Sequence, residues 1–219
     1  IHDVRLSNHA EARTYYRRLF DARPDDPETA ALFEGALERW GEWLELRELL
    51  DEEAGRATDI EAKKALLRRS AALDEQKLED PDRALQTLRE IIDLDPDERA
   101  VPTASSEVER LLRAHERWQD LADHLEAQLG RATENADRDA LAMRLADVFQ
   151  DKLDSPSAAV ERYAEVLERS PAHKDAIAAL ENLLTSANDR ARVAAILEPV
   201  YRHAGNFSRL VAVLEAQLE

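Results

Sequence analysis

Apolar residues along this chain recur every three to four positions and almost never in long runs. Trp43, Leu46 and Leu50 keep that spacing, with Leu44 and Leu49 beside them, and so do Trp118, Leu121, Leu125 and Leu129. That period puts the apolar side chains on one stripe of an α-helix and the charged residues between them on the other. The pattern predicts helices over 9–22, 27–39, 43–57, 59–77, 82–94, 102–115, 118–132, 135–152, 157–169, 173–186, 189–203 and 207–219. Asp26-Pro27, Asp80-Pro81 and Ser155-Pro156 mark three of the starts, with a capping side chain and a proline in the first turn. The links between helices are short and polar, so the chain reads as one continuous domain, 1–219.

The helices come in copies. Gly41–Thr58 recurs as Glu116–Thr133, 75 residues on, with Trp43 over Trp118, Leu46 over Leu121, Leu50 over Leu125 and GRAT over GRAT. The same offset places Arg69 over Arg144, Lys77-Leu78 over Lys152-Leu153 and Pro81 over Pro156. A third copy carries Phe207, Leu210, Leu214 and Leu218, and its LEAQL duplicates Leu125–Leu129. A second motif alternates with the first: Ala12/Tyr16/Leu19/Pro24, Ala84/Leu88/Ile91/Pro96 and Ala159/Tyr163/Val166/Pro171 share one spacing.

These residues resemble the tetratricopeptide repeat, a helix–turn–helix unit of about 34 residues. The alanine–bulky–proline sets match that family's second-helix positions, and Gly41-Glu42-Trp43 and Gly205-Asn206-Phe207 resemble its glycine–polar–aromatic turn. Phe33 and Leu37, Val108 and Leu112, and Leu197 and Tyr201 sit where its first helix packs. The resemblance implies an all-α superhelix, a solenoid of antiparallel helix hairpins with about 12 helices. Leu46, Leu121 and Leu210 replace the family's inner alanine and call for wider helix crossings. An additional helix falls near Asp189–His203. The chain opens at Ile1, with Leu6 where Leu78 sits, and so reads as a fragment of a longer repeat protein.

Composition narrows the chemistry. With 30 Lys+Arg against 47 Asp+Glu, the net charge of −17 opposes binding to a polyphosphate, so no nucleic-acid partner is expected. No apolar window approaches the length of a membrane span. Cysteine is absent, which removes disulfides and thiolate metal sites. The glycines, at 35, 41, 55, 130 and 205, form no phosphate-binding loop. Glu116, Asp120 and His124 lie one helical turn apart, but they flank the Trp118/Leu121/Leu125 stripe and read as a solvated edge. No catalytic constellation, metal or cofactor is expected.

What remains is recognition. Lys63-Lys64 and Arg68-Arg69 form a basic island on a first helix, the kind that lines the groove in the resembled family, and Arg144 recurs at the position of Arg69. Lys64, Arg68, Arg69 and Arg144 are the candidate contacts for an acidic segment of a partner, although pairing with acids on neighbouring hairpins is the competing account. Trp40 has His115 as its counterpart and is the candidate aromatic contact; Trp43 and Trp118 recur and read as packing. The Lys/Asn carboxylate clamp of chaperone-binding members is not carried over. The expected function is a non-enzymatic scaffold for a protein or peptide; the alternative is an architectural segment that self-associates end to end.

Overall fold

The computed structural model describes residues 9–96, 103–184 and 190–218. Leu6 and the links at 97–102 and 185–189 lie outside the described residues. Twelve helices are described: α1 His9–Ala22, α2 Pro27–Trp40, α3 Trp43–Arg56, α4 Ile60–Gln76, α5 Pro81–Leu94, α6 Ala104–Ala114, α7 Trp118–Arg131, α8 Asn135–Asp151, α9 Pro156–Arg169, α10 Lys174–Leu183, α11 Arg190–Ala204 and α12 Phe207–Leu218. Every expected helix is present, most of them within one or two residues of the expected bounds. The additional helix near 189–203 is α11. The helices gather into two compact units, residues 1–111 and 112–219.

Within each unit, helices adjacent in sequence pack on one another: α1 on α2, then α2, α3, α4 and α5 in succession; α7, α8, α9, α10, α11 and α12 likewise. Each unit is thus a run of helix hairpins. In the first unit Phe20, Phe33, Leu37, Leu46, Leu49 and Leu50 make a core cluster, with Tyr16, Trp40 and Trp43 against it. In the second, Leu121, Leu125, Ala142, Leu145, Ala159, Tyr163 and Val166 are buried. The small residues Ala84 and Ala159 are fully buried, as close helix crossings require.

The recurring turn has a definite backbone. Gly41 and Gly205 take left-handed conformations, φ 73° and 66°, and Glu116 takes the same conformation, φ 54°, at the position equivalent to Gly41. In all three turns the next residue's N–H reaches back to the carbonyl five residues earlier: Glu42 to Leu37, Arg117 to Leu112 and Asn206 to Tyr201. That closure satisfies carbonyls the helix end leaves open and reverses the chain. A second left-handed site, Glu79 and Asp154, also recurs, just before the proline-led α5 and α9.

The duplicated aromatics are fixed by duplicated cations. Lys77, at the C-terminal end of α4, places Nζ 5.0 Å from the Trp43 ring centroid, and Lys152, at the end of α8, places Nζ 4.9 Å from that of Trp118. Each ammonium sits over a half-buried indole face, a cation–π pair.

Glu116 adopts a conformation that disfavours any side chain with a Cβ, at a cost of about 1 kcal/mol. Glu116→Gly is expected to stabilise the protein by about 0.5–1 kcal/mol, net of the extra entropy glycine loses on folding. Gly41→Ala should destabilise it by a similar amount, since an added Cβ at Gly41 meets only ordinary contacts and the penalty is the dihedral alone. Urea unfolding of both variants checks the pair.

Candidate functional site: a polar pocket in the first unit

The stripe on α3 that is otherwise apolar carries one charged residue, Arg47. It is only 4% exposed, and it faces Asp74 of α4, which is fully buried. Arg47 Nε donates to Asp74 Oδ2 at 2.8 Å and Nη2 to Thr87 Oγ1 of α5 at 3.0 Å; Nη1 pairs with Asp51 one turn along α3. Thr87 passes its own proton to the Arg83 carbonyl at 3.1 Å. The Arg83 guanidinium stands 3.9 Å from both Asp51 and Asp74, and Lys63 stands 3.4 Å from Glu90. Arg47, Asp51, Lys63, Arg83, Thr87 and Glu90 line an open cavity of about 350 Å³ between α3, α4 and α5, with Ala54, Gly55 and Leu67 among its walls and Asp74 behind Arg47.

The second unit shows that the fold does not require this ion pair. One period on, Arg47 becomes Ala122, Asp74 becomes Phe149 and Arg83 becomes Ala158. A buried ion pair gains little over well-packed apolar side chains, because both ions lose their hydration. An Arg–Asp pair held where its duplicate is apolar is therefore a feature of the pocket, not of the scaffold.

The sequence-predicted residues fall as follows. Lys64 is 2% exposed, with Nζ donating to Asp95 Oδ2 at 2.7 Å and to Glu61 Oε1 at 2.9 Å. Its ammonium ties α4 to the end of α5. The equivalent residue in the second unit is Asp139, again buried, which accepts from Arg169 Nε at 2.7 Å and Ser170 Oγ at 2.6 Å at the end of α9. Burial pushes the Asp139 carboxyl up, and the hydrogen bonds from Ser170 and Arg169 more than reverse that, holding it below the usual carboxylate range. The same joint is thus made with opposite charges.

Arg68 Nε donates to Glu107 Oε1 of α6 at 3.3 Å, and Arg69 points the other way, to Glu34 of α2. The island is therefore divided between two sides of α4. Arg144 belongs to the second unit, half-buried, with burial pulling its guanidinium pKa down. Trp40 is half-buried against the first unit's core, with the His9 ring stacked 5.4 Å away and the Tyr16 ring tilted at 6.0 Å. It is packed by α1, which the comparison with His115 did not reveal. Of Glu116, Asp120 and His124, Asp120 accepts from Arg117 Nε at 2.6 Å. Among the described residues no group of three His, Asp or Glu side chains is placed to hold a metal ion, and no described helix is long and apolar enough to cross a membrane.

Beside Arg69 lies a carboxylate pair. Burial, then a hydrogen bond shared with Glu34 and the Glu34 charge, push the half-buried Glu53 carboxyl up to about 7, against the pull of Arg69 and Arg56. The residue one period on is Gln128, the neutral isostere of a protonated glutamate.

Scanned against protein-family models, the chain matches none, and no curated protein matches it. Among solved structures it is similar to the C-terminal part of a TPR repeat-containing protein from Cytophaga hutchinsonii (13% identity, 96% of this chain and 90% of that one, TM-score 0.42). It is also similar to a thermophilic TPR protein from Thermus thermophilus (18% identity, 88% and 92%, TM-score 0.35) and to BtubC from P. vanneervenii (14%, 96% and 87%, TM-score 0.37). Among its described residues the chain is all-α, built of duplicated helix hairpins.

Two outcomes follow from this geometry. Asp74→Ala, which strands Arg47, should cost about 3–5 kcal/mol, whereas Arg47→Ala/Asp74→Phe, which copies the second unit, should be as stable as wild type or more so; chemical denaturation of the three proteins decides. For Glu53, the folded pKa lies above the unfolded value, so the native state holds the proton longer. Its contribution is full below the ordinary carboxylate pKa near 4.5 and is lost as pH rises towards about 7. Glu53→Gln should remove that loss and melt higher than wild type above pH 7, in thermal scans from pH 4 to 8.

Proposed function

We propose that this chain is a non-enzymatic scaffold that binds a protein partner, and that the pocket between α3, α4 and α5 receives a carboxylate-bearing segment of that partner. The observation that carries the reading is the Arg47–Asp74 pair, kept at the edge of an open cavity where the duplicate repeat has Ala122 and Phe149. Asp74 holds Arg47 from behind, and Arg47 gives the cavity a polar wall. Lys63 and Arg83 are partly exposed, and their pairs at 3.4 and 3.9 Å are long for charge-assisted hydrogen bonds. An incoming carboxylate would exchange those long pairs for short ones at little cost in desolvation, with Thr87 and Gln86 supplying further polar atoms. The acidic-segment expectation is kept, and its receptors move from Lys64, Arg68 and Arg69 to Lys63 and Arg83.

The test is selection of peptides from a displayed library on the wild-type protein, followed by calorimetry of those recovered. Lys63→Ala/Arg83→Ala should weaken their binding at least tenfold, while Arg110→Ala, which removes an exposed pair with Glu75 elsewhere in the unit, should leave it unchanged. Peptides that bind both variants like wild type would sink the assignment of the pocket.

A further inference from the structure

The pocket between α3, α4 and α5 carries as many acids as bases. Arg47, Lys63 and Arg83 stand against Asp51 and Glu90 in its walls and Asp74 behind Arg47, three cations to three carboxylates. In a chain of net charge −17, a receptor for a bare carboxylate needs cations in excess to draw the acid in. This pocket has no excess.

Its two loosely paired bases differ in what they leave behind when a carboxylate claims them. Arg83 strands neither of its acids. Asp51 keeps Arg47 and the Ser70 hydroxyl, which donates at 3.4 Å, and Asp74 keeps the Arg47 Nε–H at 2.8 Å. Lys63 is different. Its ammonium faces Glu90 of α5 at 3.4 Å, and the Glu90 side chain stands 51% exposed at the pocket. A carboxylate bound to Lys63 therefore lands beside Glu90, like charge against like. The repulsion is relieved when the incoming group brings a cation of its own. That cation takes Glu90 while the carboxylate takes Lys63 and Arg83, and the charges alternate in sign with none left over.

We infer that the group received is zwitterionic: an aspartate or glutamate of the partner with a lysine or arginine close beside it. The carboxylate sits on Lys63 and Arg83, and the cation sits on Glu90. Two charge-assisted hydrogen bonds of about 2.8 Å, joined through the 3.4 Å Lys63–Glu90 pair, set an upper limit of roughly 9 Å between the partner's two charges. Oppositely charged side chains one turn apart on a helix meet that limit. The inference rests on the pocket being the receptor, and it adds a sign that the carboxylate alone does not predict. Towards a bare carboxylate Glu90 is a competitor for Lys63, and removing its charge tightens binding. Towards a zwitterion Glu90 is a contact, and removing its charge weakens binding.

The experiment is calorimetry on the full chain with peptides selected from the displayed library. Each peptide is measured as selected and with its basic residue made neutral, norleucine for lysine or citrulline for arginine. Glu90→Gln, which alters a half-exposed side chain, should weaken the selected peptides at least fivefold. Neutralising the peptide's base should cost as much on the wild-type protein and nothing further on Glu90→Gln, the signature of one shared contact. The peptide series reads the same contact without altering the protein. Equal or tighter binding by Glu90→Gln, or peptides that carry no base or lose nothing with it, would overturn the inference and leave the pocket assigned. Indifference to Lys63→Ala/Arg83→Ala, or a library that yields no binder, would remove the pocket reading and this inference together.

Discussion

A helix with apolar side chains on two sides cannot bury both within a single hairpin, and every other property of this protein follows from that constraint. The helix α3 is the clearest case: Leu46, Leu49, Leu50 and Ala54 are all buried, and α2 and α4 share the work of covering them. Each helix therefore depends on the one before and the one after, and stability is assembled from nearest-neighbour interfaces. The left-handed turns at Gly41, Glu116 and Gly205 serve the same need, since they fold the chain back soon enough for neighbours in sequence to be neighbours in space.

Because the interfaces are repeated, each copy acts as a control for the other. Several apolar positions are held in both units, as Leu46 and Leu121 or Leu50 and Leu125 show. Others change, Leu49 to His124 and Ser70 to Leu145 among them. Arg47 and Asp74 against Ala122 and Phe149, and Glu53 against Gln128, separate what the hairpin needs from what one unit alone carries. This internal comparison supplies much of what an alignment of relatives would, and it directs attention to the α3–α5 pocket instead of to the most charged stretch of sequence.

The helices were legible almost to the residue because amphipathic period, proline at the first turn and aspartate caps all point to the same boundaries; Asp26, Asp59 and Asp80 each accept a backbone hydrogen bond at a helix start. The site was less so. A lysine in a charged helix is normally solvated, and Lys64 looked like its neighbours; that it is buried depends on Asp95, 31 residues on, closing over it. Trp40 has His115 at its repeat position, and that comparison does not show the rings packed against it, His9 and Tyr16, which come from the preceding helix. The spacing of Arg47 does not by itself distinguish a buried arginine from a solvated one. The signal was present nonetheless: two positions, Arg47 and Asp74, change to Ala and Phe together.

The joint made by Lys64 and Asp95 in one unit, and by Asp139 with Arg169 and Ser170 in the other, bears on how such a chain avoids tangling with itself. Segments related by duplication invite the wrong helix into the right place during folding, and a shared helical period does not discriminate between them. Charge does. With α4 in the berth of α8, the buried ammonium of Lys64 would meet the guanidinium of Arg169; with the helices exchanged the other way, the Asp139 carboxylate would meet that of Asp95. Each wrong pairing buries two like charges where the correct one buries a matched pair. The reversed polarity is a lock and key written into the core of a repetitive molecule, and it lets two similar halves share one chain without trading parts.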